Sequence, residues 1–374
     1  MRIIHCGDIH LDSKLKSKLD SNKAMIRNHE ILDTFIEMVD YAKTNMVSAI
    51  IISGDLFDNT RISVFARKAV FNKIENSPSV NFYYLCGNHD KKNFTDNIEY
   101  IPDNLYLFSD KWQYYRIGDN EDIVISGVEI YEMTDSLALS RQLKLMSEDI
   151  NIGVMHGTII MTNANKKDEI NIRNYANKNI DYMALGHYHS YTTGNIDARG
   201  IYCYSGCLEG RGFDECGEHG FVLLDIDEEH KRINHEFIPF AKRMIEEIKI
   251  DLSGIDAYDE IIGTIENTID TINCDNMVRI RLVGQIDMYN EININSIMSK
   301  YASRYFYFEI INDTTYRIDY NRYLNEDSLK GEFVRLVVNS PLSEEEISDV
   351  LRCGIMTLSG EEVQINEDYW VPDW

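Results

Sequence analysis

The sequence predicts a layered α/β fold, on two observations. Through the first half of its 374 residues, short β-branched runs alternate with stretches of helical periodicity. Nearly all of those apolar runs then end directly at a polar cluster, the pattern of an open sheet whose strand ends face a ligand crevice. With 44% hydrophobic and 26% charged residues the chain can bury a full core, and its length suits one large domain with a smaller companion.

Taken in order, residues 2–6 read as a strand, and Ile31, Leu32, Phe35, Ile36, Val39 and Ala42 then fall at helical spacing. Residues 47–53 return as a buried strand, and a second helix spans 64–74. Further strands follow at 80–86, 123–128, 152–155 and 182–185, of which only 123–128 lacks a polar cluster at its end. Beyond about residue 200 the pattern is strand-rich, with candidates at 200–204, 221–226 and 235–240. From about Lys242 it becomes strand 245–250, helix 258–272, strand 277–283, helix 292–300 and strand 305–311, a βαβαβ unit expected to form a separate small domain. A last helix is expected to start with Ser340 as N-cap, Pro341 at its first position and Glu344 to Glu346 in its first turn.

Composition narrows the class. No apolar run reaches the roughly 18 residues of a membrane span, and the polar start Met1-Arg2-Ile3-Ile4-His5 lacks a secretory core, so a cytoplasmic location without membrane association is expected. Seven cysteines, an odd number, are expected to be reduced thiols; Cys203, Cys207 and Cys216 lack the paired spacing of structural zinc sites. A balance of 37 basic against 62 acidic residues gives a net charge of −25, which repels polyanions at long range. A nucleic-acid substrate would therefore need bound cations, local patches such as Lys91-Lys92 or Lys166-Lys167, or a more basic partner chain. Each lysine pair alone is more simply a solvated loop charge.

Five motifs carry chemistry: Asp8-Ile9-His10, Gly54-Asp55-Leu56-Phe57-Asp58, Gly87-Asn88-His89-Asp90, His156-Gly157 and Gly186-His187-Tyr188-His189. Singly each is weak, since such triplets and turns occur by chance. Jointly they sit at strand ends and gather five of the ten histidines with two ligand-type aspartates, Asp8 and Asp55, and Asn88. Imidazole, carboxylate and amide oxygen suit Mn²⁺, Fe²⁺ or Zn²⁺, and seven such ligands suit two ions rather than one. Gly54, Gly87 and Gly186 each precede a ligand, where a sharp strand-to-loop turn is expected. His5, His29, His219, His230 and His235 lie outside the pattern and are expected to be core or surface residues.

In type and order these motifs resemble the calcineurin-like metallophosphoesterases, and within them the SbcD-type DNA repair nucleases, over residues 1 to about 240. The segment from Tyr204-Ser205-Gly206 to Glu209-Gly210-Arg211-Gly212-Phe213-Asp214-Glu215 looks like the YhaO-type branch. The resemblance implies a double β-sheet sandwich flanked by helices, with a small βαβαβ capping domain. It divides the chain into a nuclease domain at 1–240, a capping domain at 241–319 and a partner-docking segment at 320–374. It implies that Asp8, His10 and His189 hold one ion and Asn88, His156 and His187 the other, with Asp55 bridging. His89 would act on the reacting phosphoryl group or its leaving oxygen, while Asp58 and Asp90 would orient neighbouring ligands. The ions would be two divalent metals, generally Mn²⁺, and the partners DNA, an SbcC-like or YhaN-like coiled-coil ATPase and a second copy of the chain.

The leading expectation is a two-metal DNA nuclease, exonuclease, endonuclease or both. The alternative is a phosphoesterase acting on a small phosphate ester, cyclic nucleotide or phosphoprotein, which the net charge favours and the extra domain disfavours. A catalytically silent scaffold would be expected to have shed ligands, and no ligand is missing. The stretch from Tyr316 to Tyr323, aromatic and basic by turns, reads more simply as an alternating strand than as a nucleic-acid grip. The apolar stripe of Leu342, Ile347, Val350 and Leu351 packs on its own domain or on another chain.

Overall fold

Alternation along the first strand explains the architecture, because Ile3 and Ile4 enter different apolar cores on opposite faces of one sheet. The structure, a computed structural model, describes residues 1–13, 15, 19–58, 62–90, 100–130, 136–162, 168–255, 257–287, 292–317, 323–358 and 360. Contacts divide the chain into two compact units, the first comprising Met1–Glu247, Cys274–Val278 and Tyr305–Tyr307.

In that unit one six-stranded sheet contains β1 (Arg2–Cys6), β2 (Ala49–Ile52), β3 (Asn81–Tyr84), β4 (Leu105–Leu107), β13 (Gly220–Asp227) and β14 (Arg232–Pro239). Its spatial order is β14-β13-β1-β2-β3-β4. Strands β1 to β4 run parallel, and β13 and β14 close one side antiparallel. The other six-stranded sheet contains β5 (Gln113–Ile117), β6 (Ile123–Gly127), β7 (Ile150–His156), β10 (Tyr182–Gly186), β11 (Thr192–Asn195) and β12 (Ile201–Tyr204). Its order is β11-β12-β10-β7-β6-β5, parallel from β12 through β6 with antiparallel edges. A two-stranded pair joins β8 (Thr158–Ile160) to β9 (Glu169–Asn171).

The sheets face each other across Ile3, Ala49, Ile51 and Val222 from the first and Ile125, Ile152, Val154 and Ala184 from the second. Helices α1 (Ser21–Thr44) and α2 (Val64–Glu75) cover the outer face of the first sheet, burying Ile31, Phe35, Met38, Val70 and Ile74 against Ile4, Ile50 and Phe82. Asp20 caps α1 by accepting from the Asn22 and Lys23 amides, and Ser63 caps α2 by accepting from Ala66. On the outer face of the second sheet, Leu139 of α3 (Ser136–Gln142) and Tyr175 pack with Met155, Met183 and Leu185.

Later elements run β15 (Ile245–Asp251), α4 (Tyr258–Asp270), β16 (Met277–Val283), β17 (Gln285–Asp287), α5 (Ile294–Tyr301), β18 (Tyr307–Asn312) and β19 (Thr315–Arg317). β15, β16 and β18 form a three-stranded sheet, while β17 pairs with β19. The second unit ends in two helices, α6 (Leu329–Val338) and α7 (Glu344–Leu358), packed through Val334, Val337, Leu351 and Ile355. The last helix starts later than the sequence suggested. Ser340 donates its hydroxyl to Val337 O at the end of α6, whereas Ser343 and Glu346 form a reciprocal capping box at the start of α7.

The strands β4, β5, β8, β9, β11 and β17 and the helices α3 and α6 add to those expected. Lys91, Lys92, Lys166, Lys167 and residues 318–322 of the aromatic-basic stretch lie outside the described residues. No helix among the described residues is long and apolar enough to cross a membrane.

Candidate metal centre

Parallel pairing of β1, β2 and β3 in one sheet, and of β7 and β10 in the other, sets the carboxyl ends of five strands where the polar motifs begin. The chain then turns sharply at the polar residues themselves. Asp8, His10, Asp55 and His187 have φ of 50°, 49°, 50° and 101°, left-handed angles that non-glycine residues seldom adopt. Amides of Asp8 and His10 donate to Gly54 O and Asp55 O at 3.0 and 2.9 Å, locking the first two loops together.

Gly54 does have φ +108°, but Gly87 and Gly186 do not enter the left-handed region. Gly87 is required by close approach, since a Cβ there would meet Asp55 Oδ1 at 2.1 Å.

All eight residues singled out from the sequence come together. Donor atoms of Asp8, His10 and His189 lie within 4.8 Å of one another, as do those of Asp8, Asp55 and His156. His10 Nδ1 donates to Asp58 Oδ1 at 3.0 Å and His189 Nδ1 to Glu215 Oε1 at 2.7 Å. A carboxylate only accepts, so both rings carry hydrogen on Nδ1 and expose a lone pair on Nε2. Those two Nε2 atoms are 3.2 Å apart. Nitrogens facing each other at that distance are satisfied by a proton or a metal ion between them.

The other side of the centre repeats the logic. His156 Nδ1 donates to Ser53 O at 3.0 Å, which turns its Nε2 toward Asp55 Oδ2 at 3.4 Å and Asn88 Oδ1 at 2.8 Å. His187 Nδ1 lies 3.2 Å from the same Asn88 oxygen. Burial disfavours charge on His156, but the Asp55 carboxylate outweighs it and pushes the imidazole up to about 9. Asp55 is shared, with Oδ2 also 3.8 Å from His10 Nε2. Burial would raise its carboxyl, yet His156 and His10 hold it well below the usual carboxylate range. The donor chemistry thus fits two divalent cations, one beside Asp8, His10 and His189, the other beside Asn88, His156 and His187.

His89 stands at the exposed edge of the centre, its Nδ1 3.2 Å from Asp58 Oδ1 and its backbone amide donating to Asp55 Oδ1 at 2.8 Å. The hydrogen bond to Asp58 raises its imidazole above the ordinary value despite partial burial. Asp58 therefore serves two rings, those of His10 and His89. Asp90 is fully buried and accepts from the amides of Leu56, Phe57 and Gly87 at 3.1, 2.8 and 3.1 Å, bracing two ligand loops against each other. Burial pushes its carboxyl up to about 6.

Three residues of the site were not assigned from sequence: Glu215, Arg211 and Asp168, the last with Oδ2 3.7 Å from His187 Nε2. Arg211 and Glu215 lie on a glycine-rich loop, where an arginine and an acid four apart carry no metal signature of their own. His5, by contrast, is buried between the sheets, held by Tyr182 Oη at 2.9 Å and Ser53 Oγ at 3.1 Å.

Two facing sheets with an imidazole and carboxylate centre at their parallel strand ends define a metal-dependent hydrolase of phosphate esters. Residues 1–191 match the calcineurin-like phosphoesterases, and the chain belongs to that family. It is 22% identical over 283 residues to the metallophosphoesterase YhaO of Bacillus subtilis, covering 72% of this chain and 67% of that protein. The DNA double-strand break repair protein Mre11 of Sulfolobus acidocaldarius is 21% identical over 265 residues, covering 67% of each chain. That of Thermoplasma acidophilum is 22% identical over 321 residues, covering 79% of this chain and 78% of its own.

Proposed function

We propose that this chain is a two-metal DNA nuclease that hydrolyses phosphodiester bonds in DNA repair, working with an SbcC-like or YhaN-like coiled-coil ATPase. The observation that carries it is the extent of the likeness: the family match ends at residue 191, whereas the match to the Thermoplasma repair protein takes in 79% of the chain. A likeness that runs past the hydrolase domain fits a protein that shares more than its chemistry with those repair proteins. We assign the chain from about residue 320 to docking of the ATPase, which offsets the net charge of −25 by supplying part of the DNA affinity.

In this function Asp8, His10 and His189 hold one cation, Asn88, His156 and His187 the other, and Asp55 serves both. Mn²⁺ suits that mixture of imidazole, carboxylate and amide. Bound there, the two cations supply Lewis acidity that acidifies water and offsets charge on the phosphoryl oxygens. The protein's own part is to orient and to move a proton. Asp58 holds His89 by Nδ1, leaving Nε2 to donate to the phosphoryl group or to the departing oxygen. The 55–57 and 87–90 loops keep that imidazole in register with Asp55 through the His89 amide and Asp90.

The test is Mn²⁺-dependent cleavage of single-stranded and double-stranded oligonucleotides, run beside bis-p-nitrophenyl phosphate, with His89→Ala as control. DNA cleavage that disappears in the variant supports the nuclease. The net charge favours a second function, hydrolysis of a small phosphate ester. Ester hydrolysis with no DNA cleavage, even after the ATPase partner is added, would establish that alternative.

A further inference from the structure

We propose that Arg211 and Glu215 are positioning residues that set the cation affinity of the Asp8, His10 and His189 group, and of that group alone. The proposal rests on the two-metal centre inferred above. Both side chains are more than nine-tenths buried, at 7% and 6% exposure, so neither is a solvated surface pair. Glu215 grips the loop that carries it: its carboxylate accepts from the Arg211 amide at 2.8 Å and from Arg211 Nη2 at 2.7 Å, and its carbonyl faces His219 Nε2 at 2.9 Å. One oxygen of that fixed carboxylate takes the Nδ1 hydrogen of His189 at 2.7 Å. This selects the tautomer and the aim of the ring, and delivers its Nε2 to the cation.

Arg211 Nη2 lies 3.1 Å from the same His189 Nδ1. A guanidinium only donates, and Nδ1 already spends its hydrogen on Glu215, so this contact is packing rather than a hydrogen bond. On its other side Arg211 Nη1 lies 3.7 Å from Asp58 Oδ1, the oxygen that accepts from His10 Nδ1. Both imidazoles of the group therefore hang, each through one carboxylate, on a single buried guanidinium. His156 is anchored elsewhere, on Ser53 O, and His187 lies against Asn88 and Asp168.

Charge makes the arrangement testable. A guanidinium so near a cation site repels the ion unless a carboxylate offsets it, and Glu215 lies closer to it than Asp58 does. Neutralising Glu215 should therefore weaken binding twice over, by loosening His189 and by leaving the Arg211 charge less fully offset. Removing the arginine charge as well should restore part of the loss.

The experiment is calorimetric titration of the metal-free, full-length chain with MnCl₂, with electron paramagnetic resonance to count bound ions. Wild type is expected to bind two equivalents. Glu215→Gln, which keeps size and shape, is expected to weaken one equivalent by about 10- to 100-fold and leave the other unchanged. Glu215→Gln combined with Arg211→Met is expected to recover part of that affinity. Arg211→Lys, which keeps the charge but loses the forked grip on Glu215, should weaken the same equivalent and serves if Glu215→Gln fails to fold. Fewer than two equivalents in wild type would refute the two-metal centre itself. Two equivalents in wild type with both unaffected in the variants, or both weakened alike, would overturn the positioning role.

Discussion

His89 meets the ligand groups through Asp58, through its own backbone amide and edge-to-face on the His10 ring, with 5.1 Å between centroids, and its proposed part is in the chemistry rather than in holding a cation. His89→Ala is expected to lower kcat by about 10²- to 10⁴-fold, the usual worth of a positioned acid or base, while Mn²⁺ stoichiometry stays at the wild-type value. Full turnover in that variant would remove His89 from the mechanism. Asp8→Ala or His189→Ala should instead weaken one cation equivalent and abolish turnover together, measured by titration beside the esterase assay. The clustering of Asp8, His10, Asp55, Asn88, His156, His187 and His189 was legible because they fall at strand ends in a recognisable order. Glu215 was not legible: it lies 26 residues beyond His189, and only the folded loop brings it to 2.7 Å from the ring. Nor does the sequence show which residues bear the backbone strain, since nothing in Asp8 or Asp55 as a residue type announces a left-handed angle.

At the scale of elements, an ionic cluster joins α1 to the chain that follows the metal loops. Glu30 accepts from Arg27 Nη1 at 2.7 Å and from Arg243 Nε at 2.9 Å, while Arg27 Nη2 donates to the buried Glu209 at 2.9 Å. Burial would raise the Glu30 carboxyl, but the hydrogen bonds from Arg243 and Arg27 outweigh it and hold the group below its ordinary 4.5. A folded value lower than the unfolded one means that the stabilisation is fully present above 4.5 and is lost as pH falls toward the folded value. Glu30→Gln should accordingly cost about 1.5–3 kcal/mol near neutral pH and give a shallower loss of Tm on acidification than wild type. An unchanged acid limb would show that the cluster does not carry this linkage. The helices α1, α2, α4 and α5 and the central strands were legible from periodicity, as the α1 stripe of Ile31, Phe35 and Val39 illustrates, whereas α3 and α6 were not. Short edge strands such as β4 and β8 were not, because three residues carry too little pattern to register. The start of the last helix was misplaced because Ser340-Pro341 imitates a cap, while the true box, Ser343 with Glu346, lies three residues on.

For the whole molecule, the pairing of two six-stranded sheets around one inner core was legible from the family resemblance and not from periodicity, since it depends on strand order rather than strand identity. That order brings β1, β2 and β3 of one sheet and β7 and β10 of the other to a common end, so ligand-type residues from distant parts of the chain share one centre. Cations that bind only the folded state stabilise it, by about 2.7 kcal/mol when present at roughly a hundredfold excess over Kd. Chelation should therefore lower Tm, and added Mn²⁺ should restore it, by differential scanning calorimetry. The charge of −25 sets a further expectation, that DNA binding by the isolated chain is weak and falls steeply with added salt. Tight, salt-insensitive binding in a fluorescence anisotropy titration would contradict it. The two-metal centre itself is tested most directly by anomalous diffraction at the manganese edge from crystals soaked in MnCl₂. Two peaks are expected, one beside Asp8, His10 and His189 and one beside Asn88, His156 and His187, with Asp55 between them. A single peak, or none touching Asp55, would contradict it.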